Sequence, residues 1–244
     1  MQIVKPKTKD INAGDQNLHK ENIEKRIVDR IFQAVIEQRL LPNTKLSESK
    51  LCETFGVGRM HVRRALLLLS SQGIINLQSN RGAFVASPDQ NQSNEVFEAR
   101  LLIEPTLIRT LTASIQALQL DDISHHIHQE DLARQNNDRT NLIRLSGEFH
   151  VKLAEASGNT IITKTVRQLV TKTSLIIGIY GSSSHAYCAD GAHQQLLDAI
   201  KKRKPDQAAE IMTCLLKQIW AQINIDTHNA KSETLDDILG GSLS

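Results

Sequence analysis

Apolar residues recur at helical spacing along most of the chain. From about Ile23 to Arg39 the positions Ile27, Ile31, Ala34 and Val35 share one face, and the run stops before Pro42, which predicts a first helix. Leu40 to Leu46 reads as a turn. Ser47 is then placed to cap a short helix through Thr54 that buries Leu51 and Phe55 before Gly56-Val57-Gly58. A third helix follows from about Arg59 to Gln72, with Val62, Ala65, Leu66 and Leu69 at i, i+3, i+4 and i+7 and Gly73 to close it. The pattern changes at Ile74 to Leu77 and Ala83 to Ala86, two short strand-like runs joined by Ser79-Asn80-Arg81-Gly82. Three helices and a hairpin predict a winged helix-turn-helix.

Beyond Pro88 every periodic stretch is helical. The segments are Glu95 to Ile115, Asp121 to Gln135, Thr140 to Ser157, Thr160 to Tyr180, Asp190 to Arg203 and Pro205 to Ile225. They predict an antiparallel bundle of about six helices, so the fold class is mainly α. Polar stretches without periodicity divide the chain: a flexible tail at 1–22, the winged unit at 23–88, a linker at 89–94, the helical unit at 95–228 and a second tail at 229–244.

Composition supports this reading. One Trp, two Tyr, five Phe, 12 Gly and 5 Pro are a poor supply for a many-stranded β-fold. No apolar run approaches the ~18 residues of a membrane span. Cys52, Cys188 and Cys214 are odd in number and widely spaced, which suits neither a disulfide framework nor a paired-thiolate zinc site. A soluble, cytoplasmic protein is expected, with no membrane partner.

Charge separates the two units. Residues 1–88 hold 14 Lys and Arg against 8 Asp and Glu, whereas 89–244 hold 15 against 19. No acidic residue occurs between Thr54 and Pro88, a stretch containing Arg59, Arg63, Arg64 and Arg81. The third helix buries one stripe and leaves Arg59, Met60, His61, Arg63 and Arg64 near its N-terminal end, where a recognition helix meets base edges. Arg81 on the wing suits the DNA backbone or minor groove. The alternative for each arginine is a solvated helix face.

The run LSESKLCETFGVGRMHVRRALLLLSSQGIINLQSNRGAFV resembles the N-terminal domain of GntR-type transcriptional regulators. The resemblance implies that Arg59 and Arg63 contact operator bases and that Arg81 with Gly82 enters the minor groove. Gly58 stands where many members have a capping Ser or Thr, Arg64 where many have Glu, and Ser49 where some have Arg.

In the helical unit two histidines stand out. His193 shares the stripe of Leu196, Leu197 and Ile200, and His150 shares a face with Ser146 and Leu153. A histidine on an apolar face is more often a satisfied core residue than a ligand. Residues 95–225 resemble the FCD domain of the same regulators, through Arg100 and Glu104, GEFHVKLAEASGN around His150, and the His193 helix followed by AAEIM. That resemblance implies a bundle holding a divalent metal through one aspartate and three histidines, beside a small carboxylate-bearing effector. His150 and His193 match. The aspartate position is Ser146, and the third histidine falls at about Leu215, next to Cys214.

Two imidazoles leave a zinc or nickel site incomplete unless Cys214, water or the effector completes it. Without metal, the pocket would bind an organic anion directly, with Arg100, His150 and His193 as donors and Glu104 and Ser146 beside them. Arg100 alternatively pairs with Glu104 at i+4. His125, His126 and His128 lie on one helix, with 125 and 128 sharing a face, but read as a solvated surface. The resulting expectation is a homodimeric, effector-responsive repressor on a near-palindromic double-stranded operator, not an enzyme. The alternatives are a metal-dependent enzyme on the bundle and a regulator without effector control.

Overall fold

The computed structural model describes residues 12–181, 190–223 and Leu239, with side chains from Ile23 onward. The elements are α1 (Asn12–Ile36), β1 (Lys45–Leu46), α2 (Glu48–Phe55), α3 (Arg59–Ser71), β2 (Ile75–Gln78) and β3 (Gly82–Val85), then α4 (Gln90–Ser114), α5 (Ala117–Gln135), α6 (Arg139–Ala156), α7 (Thr160–Tyr180), α8 (Ala192–Lys201) and α9 (Pro205–Ala221). The first six form a winged helix-turn-helix and the rest a helical bundle. No described helix is long and apolar enough to cross a membrane.

The winged unit follows the apolar stripes. Ile27, Ile31, Ala34 and Val35 of α1 pack with Leu51 and Phe55 of α2 and with Val62, Ala65, Leu66 and Leu69 of α3. Ser47 takes the N-cap position of α2, but its hydroxyl meets Ser49 Oγ at 2.9 Å and makes no cap hydrogen bond. β2 and β3 pair antiparallel, Ile75 with Val85 through Gln78 with Gly82, and Gly82 turns the hairpin at φ +99°. β1 joins the other side of β3, pairing Lys45 with Phe84 and Leu46 with Ala83. Two residues are too few to show a period of two, so the turn expected at Leu40 to Leu46 concealed this strand.

Two expected boundaries are corrected. The linker at 89–94 is the first turn of α4: Asp89 Oδ1 accepts from Gln92 N at 2.8 Å, and Gln92 Oε1 accepts from Asp89 N at 3.3 Å. This capping box explains an amide-rich composition that reads as a linker. The flexible tail at 1–22 is helical from Asn12, because extending a nucleated helix through polar residues costs little. Within the tail expected at 229–244, Leu239 is buried and belongs to the winged unit's apolar core. Residues 1–11 and Cys188 lie outside the described residues.

In the bundle, α4 lies against α9, α5 against α6 and α6 against α7. The two units share a junction. Ile36, the last residue of α1, belongs to the bundle's apolar core rather than to the winged one. Gly178 of α7 permits this approach, since a Cβ there would lie 3.0 Å from Ile36 Cα.

Candidate functional site

The first site is the outer face of α3 and the wing. Met60 is 56% exposed, and Arg63 and Arg64 are exposed beside Arg59. Gly58 is the N-cap of α3 and offers no side-chain cap, so the first backbone N–H groups are left to solvent or to an anion. His61 does not join this group. Its Nδ1 lies 2.9 Å from Glu24 Oε1 of α1, and only a fifth of the side chain is accessible. Arg64 Nη1 is 3.6 Å from the same oxygen, while Arg63 Nε makes bonds of 2.9 and 3.1 Å to the Glu48 carboxylate of α2. Burial pushes the Glu24 carboxyl up, but His61 and Arg64 outweigh it and hold the pKa below the usual range. Arg81 and Gly82 are exposed at the wing, with the Arg81 guanidinium 5.7 Å from the Phe84 ring centroid.

The second site is a chain of buried charges across the bundle. Arg100 and Glu104 of α4 are 2% and 1% exposed and form a two-point pair, Nε to Oε1 at 2.6 Å and Nη2 to Oε2 at 3.3 Å. His150 Nδ1 of α6 sits 2.6 Å from Glu104 Oε2. A second pair places His193 Nδ1 of α8 2.6 Å from Glu130 Oε2 of α5, and the His193 ring stacks on Phe149 with centroids 3.9 Å apart. His193 Nε2 is buried without a hydrogen-bond partner among the described residues.

Protonation follows from this geometry. Burial raises the Glu104 carboxyl, yet Arg100 and then His150 overcome it and hold the pKa at about 2. Burial lowers His150 to about 4, against the opposing pull of Glu104. At neutral pH, therefore, Glu104 is ionised and His150 is neutral. Since a carboxylate only accepts, His150 carries its proton on Nδ1 and presents an acceptor at Nε2. In this state His150 Nε2 accepts a hydrogen bond rather than donating one.

A cavity of about 20 Å³ adjoins this network, lined by Arg100, Ser146, His150 and Ser174 among others. That is room for one water. His193 is not among its lining residues, so the five expected effector residues do not converge on one space. Glu130 is the buried group that the sequence reading missed. It continues the Ile123 and Ile127 stripe of α5 by one turn, and an acid on an apolar stripe was the available signal. His126, expected to be solvated, is instead buried on the same stripe and bonds Leu145 O at 2.8 Å, whereas His125 and His128 are exposed as expected.

A falling pH should act on this network with a defined sign. His150 is depressed from 6.5 to about 4, so below about pH 6.5 the unfolded chain takes up the proton first and stability declines until about pH 4. Glu104, depressed from 4.5 to about 2, extends the loss below about pH 4.5. Urea midpoints between pH 7.5 and 5 should fall, at up to roughly 1.4 kcal/mol per pH unit from His150 alone. His150→Gln should flatten that range, and identical slopes in the two proteins would refute the assignment.

Residues 95–218 match the family described as FCD domain, and residues 23–85 match bacterial regulatory proteins, gntR family. The chain belongs to the GntR family. Among GntR relatives, the HTH-type transcriptional repressor RspR of Escherichia coli is 24% identical over 200 residues, covering 81% of this chain and 87% of that protein. The HTH-type transcriptional repressor NanR of Cronobacter sakazakii is 24% identical over 240 residues, covering 86% and 88%. A solved transcriptional regulator GntR from Rhodococcus sp. RHA1 shares the fold, with TM-score 0.70, 21% identity and coverage of 82% and 96%. For E. coli McbR/YncC the values are 0.67, 18%, 82% and 95%. The chain is a DNA-binding transcriptional regulator; the metal-dependent enzyme reading has no support among these relatives.

The residues do not fit the metal of some FCD domains. Both imidazoles give Nδ1 to a carboxylate, as metal-binding histidines often do, but this leaves only two Nε2 ligands. Ser146 offers a hydroxyl where a carboxylate is needed, and Leu215 is an apolar core residue. Cys214 is exposed in a different groove between α4 and α9. Among the described residues no group of three or more His, Cys, Asp or Glu side chains is placed to hold an ion.

Proposed function

We propose that this GntR regulator is a homodimeric repressor whose winged units seat on the two half-sites of a near-palindromic operator. Arg59, Met60, Arg63 and Arg64 would face the major groove, with Arg81 and Gly82 at the minor groove and His61 supporting α3 from behind. The observation that carries this reading is the exposed arginine group on a stretch of chain that has no acidic residue between Thr54 and Pro88. Glu48 and Glu24 hold Arg63 and Arg64 in place before DNA arrives, and phosphate or guanine then competes for them.

The bundle cavity would receive a small hydroxylated acid. Arg100 and the Ser146 and Ser174 hydroxyls supply donors for a carboxylate, while neutral His150 accepts from a ligand hydroxyl at Nε2. Glu130 and His193 lie outside the cavity lining, with the His193 ring stacked on Phe149 and 5.5 Å from the His150 ring. Because the cavity holds only about 20 Å³, an occupant larger than a water must displace the side chains or helices that line it. Thermal-shift screening of small acids with and without a hydroxyl tests this. A hydroxy acid should raise the melting temperature by mass action and change operator affinity, and Ser146→Leu should abolish both responses. A blank across hydroxy acids would favour a regulator without effector control.

A further inference from the structure

The helices that line the cavity also hold the winged unit, and one side chain bridges all three of α1, α6 and α7. Arg139 opens α6, and its Nη1 donates to the carbonyl of Ile36, the last residue of α1, at 2.5 Å. Its Nη2 reaches the carbonyl of Ile177 on α7 at 3.4 Å. The end of α1 has no basic residue in its own last turn, so Arg139 supplies the positive charge that this negative helix end lacks. Around it, Thr140 Oγ1 donates to Glu37 Oε1 at 3.2 Å, and Gln38 Nε2 donates to the carbonyl of Ile179 at 3.0 Å. Both α6 and α7 continue from this junction into the cavity wall. Ser146, Gly147 and His150 lie on α6, and Ile177 contributes its side chain to the cavity and its carbonyl to Arg139.

The other end of the path reaches DNA. α1 packs along α3, and Glu24 of α1 is bonded to His61 and paired with Arg64. A change in spacing between α6 and α7 therefore meets α1 at Arg139, and α1 carries it to the arginine face. Arg139 Nε is buried without a hydrogen-bond partner among the described residues, so the two carbonyls leave part of the five-donor guanidinium fork unused. Such a group is suited to exchange partners when the carbonyls separate.

We propose that Arg139 is the positioning residue that couples the bundle cavity to the recognition helix: it clamps the end of α1 between α6 and α7, and separation of those helices releases or rotates the winged unit. This deepens the effector reading and rests on it for the identity of the natural trigger, but a substitution can stand in for the trigger. Gly147 lies where α6 crosses α7, and a Cβ there would sit 2.8 Å from Val170 Cγ1 and 3.1 Å from Ser174 Oγ. Gly147→Ala is a wedge in the cavity wall.

The experiment is a double-mutant cycle on the full chain, read as affinity for a DNA fragment from the promoter of its own coding region at fixed salt. Gly147→Ala should change that affinity by at least about five-fold in the Arg139 protein. In the Arg139→Met background the same wedge should change it less than about two-fold, and Arg139→Lys should restore part of the response. Ser174→Val serves as a second wedge should Gly147→Ala fold poorly. Equal shifts in both backgrounds, or no shift from either wedge in a folded protein, overturn the proposal. A merely structural Arg139 would lower the melting temperature and leave the wedge response intact. An effector that still controls the Arg139→Met protein defeats the coupling alone; a working wedge with no effector found defeats the effector reading alone.

Discussion

Arg59→Ala combined with Arg63→Ala should lower operator affinity by two orders of magnitude or more. Each arginine that reaches a base in the major groove is worth about 1–3 kcal/mol, and a dimer loses the contact at both half-sites. The fold should not suffer. Arg63 is 64% exposed and pairs with Glu48, itself 39% exposed, in an ion pair of a kind worth at most about 1 kcal/mol. Fluorescence anisotropy on a promoter fragment at constant salt, with circular dichroism as a control, separates binding from folding. Arg81→Ala should weaken binding more evenly across sequences, as expected for a register contact. Affinity within two-fold of the parent for the double variant would remove α3 from the groove.

Glu104→Ala should be the most destabilising single change in the bundle. It removes the shared acceptor of Arg100 and His150, both 2% exposed, and leaves a guanidinium buried with no anion. Breaking a buried pair from one side costs about 3–5 kcal/mol. In a chain of this size that corresponds to roughly 10 °C in melting temperature. Glu104→Ala together with Arg100→Met should recover part of the loss, because the uncompensated charge is then gone. Chemical denaturation of the single and double variants checks both statements. A single variant within about 1 kcal/mol of the parent would mean that water or a neighbouring group reaches Arg100 and that the network is looser than its distances indicate.

The legibility of this site differed by residue. Arg100 and Glu104 at i+4 were open to two readings, a ligand site and an ion pair, and the short bonds between them establish the pair. The two readings are not exclusive, since a ligand reaching Arg100 meets a guanidinium already oriented by Glu104. His150 and His193 were found by their apolar stripes, yet their chemistry depends on Glu104 and Glu130, which lie on other helices. A histidine's proton position is fixed by its partner, and a partner far away in sequence leaves no local trace. Glu24 and Glu48 escaped for the same reason, since each meets an α3 residue from a neighbouring helix.

From residues alone came the winged unit, the helical bundle, the basic face of α3 and the Arg81-Gly82 wing tip, because each rests on a local period, a turn residue or a charge imbalance. The amide-rich run at 89–94 shows the limit even of local reading, since a capping box and a linker share a composition. Tertiary structure alone decided that His61 bonds Glu24, that the cavity measures only about 20 Å³, and that Arg139 joins α1 to α7. Periodicity specifies which face of a helix is buried, but the groups that meet across that face are chosen by how the helices pack.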